Sequence, residues 1–146
     1  MSKVQEIAQS ISNEFQSLPE SVRLEYLLEF SESLEPLPPR YSDHPDLLEK
    51  VEECQSPVYL FVEIIDNDVV RVFLTAPTEA PTTRAFASIL KTVLDNQPIA
   101  EVLALKDDFP SQLGITSLVS PLRIRGMLGM LNRIKRQVAE KSIDRK

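Results

Sequence analysis

"PVYLFVEIIDNDVVRVFLTA", residues 57–76, decides the fold expected for this chain. Positions 58, 60, 62 and 64 are all aliphatic, whereas the residues between them are aromatic or charged. That period of two is typical of a β-strand with one buried face. The Asp-Asn-Asp triplet at 66–68 ends the alternation with residues that favour a tight turn, and a second β-branched run follows at 69–76. The stretch therefore predicts an antiparallel β-hairpin.

Helical patterns precede the hairpin. Apolar residues recur every three or four positions from Ser2 to Gln16, and Ser2 with Gln5 fits a capping box. A second capping-box pattern, formed by Ser17 and Glu20, predicts that another helix begins near Ser17. Residues 35–46 are rich in proline, which predicts a connection that cannot continue this helix.

Helical patterns also follow the hairpin. Thr82 or Thr83 can cap a helix that runs to about Leu94, and shorter helical pieces are predicted after it. The Ser120-Pro121 pair opens the last helix. Helices on both sides of one hairpin predict the α+β class, with a small antiparallel sheet covered by helices.

The predicted sheet needs more than the hairpin. Two strands alone are marginally stable in water, so we expect a third strand. Residues 50–56, which lead into the hairpin, are one candidate for it.

Length and composition favour one intracellular domain. The 146 residues fit a single domain, 1–146, and 42% are hydrophobic. Nothing resembles a signal peptide, and no apolar run approaches the roughly 18 residues of a membrane span. One cysteine cannot form an internal disulfide, and one Cys with one His leaves too few ligands for structural zinc. We therefore expect a cytoplasmic protein without a metal or a membrane anchor.

The charge is unevenly distributed. Residues 121–146 carry eight Lys or Arg against two acids, a net of +6, whereas residues 1–120 carry eight bases and twenty acids, a net of −12. An acidic chain repels nucleic acid, so we expect no nucleic-acid partner. The basic segment is interpreted as a solvated helix face whose cations suit the C-terminal end of the helix dipole, or as a contact for an acidic partner.

Cys54 is the only cysteine, and its environment allows two interpretations. A free cysteine is often buried and inert, but polar neighbours and Pro57 indicate an exposed turn that enters a strand. The carboxylates of Glu52 and Glu53 should raise the thiol pKa, so a reactive Cys54 would need a nearby cation. Three arginines at predicted helix starts are candidates, unless they are ordinary surface residues: Arg84, Arg123 and Arg125.

Other chemistries find little support. His44 could in principle pair with Cys54, but its proline-rich surroundings favour a solvated or capping histidine. The chain has no GxSxG, P-loop, GxGxxG or HExxH motif. Only three glycines are present, which argues against a loop that cradles phosphate.

Four segments of the chain resemble a known family. They are "VEECQSPVYLFVE" (51–63), "FQSLPESVRLEYLLEFSESLEPLPPRY" (15–41), "APTEAPTTRAFASIL" (76–90) and "LGITSLVSPLRIRGMLGMLNRIK" (113–135). Together, and in this order, they resemble the SufE/CsdE family, the sulfur acceptors of iron–sulfur cluster assembly. The resemblance implies a SufE/NifU-like α+β fold with a small antiparallel sheet of about three strands.

The resemblance also implies a function. Such a protein accepts persulfide sulfur from a pyridoxal-phosphate cysteine desulfurase (SufS/CsdA-like), stimulates that enzyme and passes the sulfur to an Fe–S scaffold complex (SufB-type). It is a covalent carrier, not an enzyme in its own right beyond the transfer step. It needs no bound cofactor, because carbon–sulfur cleavage belongs to the partner. A monomer or weak dimer is expected.

The same resemblance assigns roles to residues. Cys54 is implied as the persulfide acceptor, with Gln55 and Ser56 as its motif neighbours. Arg123 is implied as a stabiliser of the thiolate or persulfide. Glu79 and Arg84 lie in the loop and helix start that resemble the family's partner region.

Two positions depart from the family pattern. Glu53 and Ala85 stand where glycine is common, and the first bears on how freely the Cys54 loop moves. We expect this loop to be tucked in when the protein is free and to swing outward on binding a partner. Two alternative functions remain at this point: an adaptor in which the cysteine is incidental, and a one-cysteine redox sensor.

Overall fold

A computed structural model describes residues 2–144 of the chain. Met1, Arg145 and Lys146, which include the two ends of the expected domain and the last two cations of the basic segment, lie outside the described residues. Within residues 2–144, no helix is long and apolar enough to cross a membrane.

Six α-helices occupy much of the described chain. They are α1 (Lys3–Ser17), α2 (Glu20–Glu32), α3 (Pro39–Ser42), α4 (Pro81–Leu94), α5 (Ile99–Ala104) and α6 (Pro121–Asp144). The capping box of Ser2 and Gln5 is confirmed at the start of α1. Two predicted starts were wrong by a few residues. Ser17 ends α1 rather than beginning α2, and α4 begins at Pro81, whose fixed φ angle suits a first helical position.

Four strands of the described chain form one antiparallel sheet in the order β1-β2-β3-β4. They are β1 (Glu49–Lys50), β2 (Tyr59–Ile65), β3 (Val69–Thr75) and β4 (Gln97–Pro98). The hairpin of β2 and β3 is confirmed, with Leu60 opposite Leu74. Its turn places Asn67 and Asp68 at φ angles of 66° and 58°, a region that Asn and Asp tolerate better than most residues.

The strands beyond the hairpin differ in part from the expectation. β1 supplies the third strand but ends at Lys50, so it shares only one residue with the candidate 50–56, and the rest of that segment is loop. The fourth strand, β4, was not expected. Both added strands are two residues long, which is too short to show a period in the sequence.

Helices cover one face of the sheet, and this face is the core. Leu60 and Val62 of β2 and Val72 of β3 are fully buried there, as the alternation predicted. Helix α6 packs on β2, α4 packs on β3, and α2 packs against α4. On the other face, the ring of Tyr41 lies 4.6 Å from that of Phe61 and 5.0 Å from that of Phe73.

Side chains from α4 and α6 complete the two edges of the hairpin. Val62 lies opposite Val72, beyond the reach of the short outer strands. The Val62 amide donates to Gln137 Oε1 at 2.9 Å, and its carbonyl accepts from Lys141. The Val72 carbonyl accepts from Lys91 at 2.6 Å, and the Val72 amide donates at 2.8 Å to the carboxylate of Asp95, which follows α4. The backbone groups of Val62 and Val72 on the two edges of the hairpin thereby have partners, and these contacts fix α4 and α6 relative to the sheet.

Candidate functional site

Cys54 lies in the loop that joins β1 to β2. The base of this loop is closed by the Val51 amide, which donates to the Val58 carbonyl at 2.9 Å, and both valines are fully buried. The Cys54 amide donates to the Val51 carbonyl at 3.1 Å, which forms a tight turn. The loop is therefore anchored at its base, while Cys54 itself is half-buried and is a free thiol.

Two glycines of α6 allow the loop to approach the helix backbone closely. A Cβ atom at Gly126 would lie 3.0 Å from the Cys54 sulfur, and the thiol donates weakly to the Gly126 carbonyl at 3.7 Å. One turn further along, a Cβ atom at Gly129 would lie 2.7–2.8 Å from the side-chain atoms of Glu53. Larger residues at either position would push the loop away from α6.

The Cys54 thiol opens into a cleft of about 280 Å³ with three walls. The loop contributes Cys54, Gln55 and Ser56, and the segment from Glu79 to Thr83 forms the second wall. The third wall is the start of α6, with Leu122, Arg123 and Gly126. The structure thus brings together five of the six residues to which the family resemblance assigned roles.

Two helix N-termini meet at this cleft. The first turn of α4 lines it through Pro81, Thr82 and Thr83, and no side chain of the described residues caps this helix. The first turn of α6 lines it through Leu122 and Arg123. Helix N-termini carry partial positive charge, which favours an anion, whereas the acidic side chain of Glu79 on the same wall opposes it.

Arg123 adds a full charge to this environment. Its guanidinium lies 3.4 Å from the hydroxyl of Thr82, on the opposite wall. Within residues 2–144 it makes no ion pair, and its side chain is exposed. Arg123 is therefore free to turn toward a negatively charged sulfur in the cleft.

The resting thiol is nevertheless protonated. Burial, together with the smaller effect of the negative charge of Glu53, raises the pKa of Cys54 to about 11, and the charge of Arg133 opposes this rise only in part. The expected influence of the flanking carboxylates is thus present for Glu53. In this conformation, Cys54 is a poor nucleophile at neutral pH, because the thiolate is the reactive form.

Arg84, the sixth of these residues, does not line the cleft. Its guanidinium donates to three backbone carbonyls, those of Ser31, Ala76 and Leu34, at 2.9, 2.6 and 3.2 Å. These contacts tie α4 to the end of α2 and to the segment that follows it. The role of Arg84 in the resting structure is therefore to hold helices together.

The remaining sequence candidates also lie outside the cleft lining. Arg125 is exposed on α6. His44 is exposed where a 3-10 turn, Pro45–Leu47, begins, and its side chain makes no capping hydrogen bond to the described residues, so the structure agrees with the solvated histidine of the prediction and not with the capping one. Within residues 2–144, no group of three or more His, Cys, Asp or Glu side chains could hold a metal ion.

The basic face of α6 is less solvated than its charge suggested. Arg133 pairs with Glu49 and Glu53, and Arg136 also pairs with Glu49. Lys135 pairs with Asp107 at 3.1 Å. These cations bind acids elsewhere in the chain, which leaves Arg123 and Arg125 as the unpaired arginines of α6 within the described residues.

Sequence reasoning identified Arg123 on α6 but missed the two glycines of that helix against which the loop packs. Gly126 and Gly129 account for two of the three glycines in the chain, and they lie three apart inside a helical pattern. Glycine is unfavourable inside a helix, so this spacing could have indicated a close approach of backbone. The partner of Glu53, Arg133, lies 80 positions away and leaves no local signal.

Comparison with known proteins finds related sequences over most of the chain. Residues 9–138 match the sequence profile of SufE, described as an Fe-S metabolism associated domain. An uncharacterized SufE-like protein of Mycobacterium tuberculosis is 46% identical over 130 residues, which cover 89% of this chain and 90% of that protein. SufE-like protein 1 of Arabidopsis thaliana, a chloroplastic or mitochondrial protein, is 29% identical over 88% of this chain but only 34% of its own length.

A solved structure has the same fold. The solution structure of a hypothetical protein from Thermus thermophilus superposes with a TM-score of 0.79 at 32% identity, covering 92% of this chain and 94% of that one. The sequence match spans the loop of Cys54, the wall formed by Glu79 to Thr83 and the start of α6. The chain therefore belongs to the SufE family and carries its domain associated with Fe–S metabolism.

Proposed function

We propose that this protein is a sulfur acceptor for iron–sulfur cluster assembly, with Cys54 as the residue that carries the sulfur. The observation that carries the proposal is a lone thiol in a cleft formed by two helix N-termini and an arginine that is unpaired among the described residues. Membership in a family associated with Fe–S metabolism supports the same conclusion.

The transfer is a thiol–persulfide exchange. The Cys54 thiolate attacks the outer sulfur of a cysteine persulfide on the partner, and a new S–S bond forms on Cys54. The S–S bond within the partner breaks, and the partner's cysteine leaves as a thiolate. The sulfur atom keeps its oxidation state, so no outside oxidant or reductant is needed.

The two environments of the thiol separate storage from reaction. Against α6, burial and Glu53 keep Cys54 protonated and therefore slow to react. When the loop moves outward, both effects weaken and the thiol pKa falls toward its ordinary value. The positive ends of α4 and α6, together with Arg123, then favour the thiolate and the persulfide anion over the neutral forms.

The proposed donor is a pyridoxal-phosphate cysteine desulfurase of the SufS/CsdA type, and the proposed receiver is a SufB-type scaffold complex. Leu122 is exposed at the mouth of the cleft, next to Arg123, and Arg125 follows on α6. An apolar side chain beside these arginines suits contact with an acidic protein surface. The expectations of a cytoplasmic location and of a monomer or weak dimer remain part of this proposal.

Intact-mass analysis tests the proposal directly. The protein is incubated with a cysteine desulfurase and free cysteine, and its mass is measured before and after addition of a reductant. We expect a gain of one or more sulfur atoms that the reductant reverses. The Cys54→Ser variant should gain no sulfur and should no longer stimulate the desulfurase, although it should still bind it.

Other outcomes would favour other functions. An adaptor with an incidental cysteine would lose nothing on substitution of Cys54, and stimulation of the desulfurase would persist. A redox sensor would form sulfenic acid rapidly with peroxide in the absence of a desulfurase. The high pKa of Cys54 argues against such a sensor, because oxidation by peroxide requires the thiolate.

A further inference from the structure

Glu53 connects the Cys54 loop to α6 more firmly than Cys54 itself does. Its side chain lies flat on the helix backbone at Gly129, where a Cβ atom would come within 2.7–2.8 Å of it. Its carboxylate accepts from Arg133 Nε at 2.9 Å. Arg133 is held in place by a second carboxylate, since its Nη1 donates to Glu49 at 2.7 Å.

The other contacts between the loop and the helix are weaker. Among the described residues, loop positions 52–57 make one further hydrogen bond to α6, from the Cys54 thiol to the Gly126 carbonyl at 3.7 Å. A thiol is a weak donor. The Cys54 amide bonds within the loop to Val51, and Gln55 is exposed. The position of the thiol therefore depends on the residue before it in the chain.

We propose that Glu53, Arg133 and Gly129 form a latch that holds the Cys54 loop against α6. Gly129 provides the space, Arg133 provides the charge, and Glu53 is the positioning residue that brings the thiol onto the helix at Gly126. Separation of Glu53 from Arg133 frees the loop to open. The latch concerns the exposure of Cys54 in the free protein, so it stands whether or not a desulfurase loads that thiol.

The latch is of moderate strength, as its exposure indicates. The Glu53 side chain is 37% exposed and that of Arg133 is 23% exposed. Ion pairs of this kind shift a local equilibrium by about two- to fivefold. A partner that presents a competing charge to either residue can therefore open the loop without unfolding the protein.

Amide hydrogen exchange measures the opening independently of thiol ionisation. Exchange is followed by mass spectrometry in a peptide that spans residues 51–58, for the parent protein and three variants. Glu53→Gln keeps the shape of the side chain but removes its charge, and exchange in the loop should become about two- to fivefold faster. Gly129→Ala keeps the Glu53 charge but displaces the side chain from the helix, and it should also speed exchange.

Glu52→Gln is the matched control. Glu52 is the neighbouring acid, it is exposed, and it makes no hydrogen bond or ion pair within the described residues. This variant should exchange like the parent. Raising the salt concentration should speed exchange more in the parent and in Glu52→Gln than in Glu53→Gln, because the variant lacks the Glu53–Arg133 pair, whereas the pairs of Glu49 with Arg133 and Arg136 are common to all three proteins.

Three results would overturn the latch. The first is parental exchange in Glu53→Gln together with faster alkylation of Cys54, which would mean that Glu53 acts on the thiol by charge alone. The second is equal acceleration in Glu52→Gln and Glu53→Gln. The third is parental exchange in Gly129→Ala. Urea unfolding of every variant distinguishes a change in loop exchange from a change in global stability. For Gly129→Ala, the higher helix propensity of alanine should itself stabilise α6.

Discussion

The reaction of Cys54 with an alkylating reagent should depend steeply on pH in the free protein, with an inflection near pH 11. Burial and the neighbouring Glu53 raise the thiol pKa from an ordinary 9.0 to about 11. A shift of two units lowers the thiolate fraction at neutral pH about a hundredfold. Because the thiolate is the form that reacts, the folded protein should react about a hundredfold more slowly than the unfolded chain at pH 7, before any steric protection is added.

Iodoacetamide is a suitable reagent, since it is uncharged and Cys54 is the only thiol. The rate is followed by intact mass from about pH 7 to pH 12, once under native conditions and once in urea, where the inflection should return to about 9. Cys54→Ser, which has no thiol, provides the background. An inflection at or below about pH 9 in the native protein would refute the reasoning, because it would mean that the resting cleft already stabilises the thiolate.

The same shift predicts a change in stability at alkaline pH. The folded thiol binds its proton more tightly than the unfolded one, so its contribution to the free energy of unfolding is present below about pH 9. It is lost as the pH rises toward 11, and two units set an upper limit of about 3 kcal/mol, which partial exposure of the thiol to solvent lowers. The difference in unfolding free energy between the parent and Cys54→Ser isolates this contribution from tyrosines and lysines that titrate in the same range. A difference that stays constant from about pH 8 to pH 10.5 would contradict it.

Three further predictions test the surroundings of the site. Gly126→Ala should displace the thiol, because the added Cβ lies 3.0 Å from the sulfur, and alkylation of Cys54 should accelerate while urea stability changes by no more than about 1 kcal/mol. Arg84→Ala should lower the free energy of unfolding by about 2–4 kcal/mol, because three carbonyls lose a charged donor, and it should leave the alkylation rate unchanged. Burial alone would raise the pKa of Glu49, but hydrogen bonds from Gln137, Arg133 and Arg136 outweigh burial and hold that pKa below 4.5. The free energy of unfolding should therefore fall as the pH drops below about 4.5. In acid denaturation, Glu49→Gln should make this pH dependence weaker.

The hairpin could be predicted from the sequence because its signal is local. Alternating residues from Val58 to Ile64 must face opposite sides of a strand, so burial of one set follows from their order alone. The outer strands carry no such signal, since each has two residues. They exist because the chain passes beside an edge of the hairpin that is already formed, and that proximity is a property of the tertiary structure.

The site was predictable to the extent that its residues lie in recognisable segments. Cys54, Glu79 and Arg123 belong to three of the segments that resemble the family, and the structure brings them to one cleft. Arg84 lies in the same kind of segment but binds backbone carbonyls. Every residue type carries a carbonyl, so the sequence could not distinguish an arginine that binds main chain from one that faces a cleft.

The electrostatics of the cleft contain a conflict that the proposed outward movement of the loop would resolve. Two helix N-termini and Arg123 favour a sulfur anion in the cleft, whereas burial against α6 and the charge of Glu53 disfavour one at the resting position of the thiol. Both influences act on the same loop. A displacement of Cys54 away from Gly126 would therefore move the thiol from the environment that disfavours the anion into the one that favours it. A thiol that is protonated at rest is protected from peroxide and stray electrophiles, and under the proposed mechanism it becomes nucleophilic only in the position where a partner can reach it. Replacement of Glu53 by a neutral residue would remove part of this contrast, so Glu53 makes the difference in thiol pKa between the two positions larger.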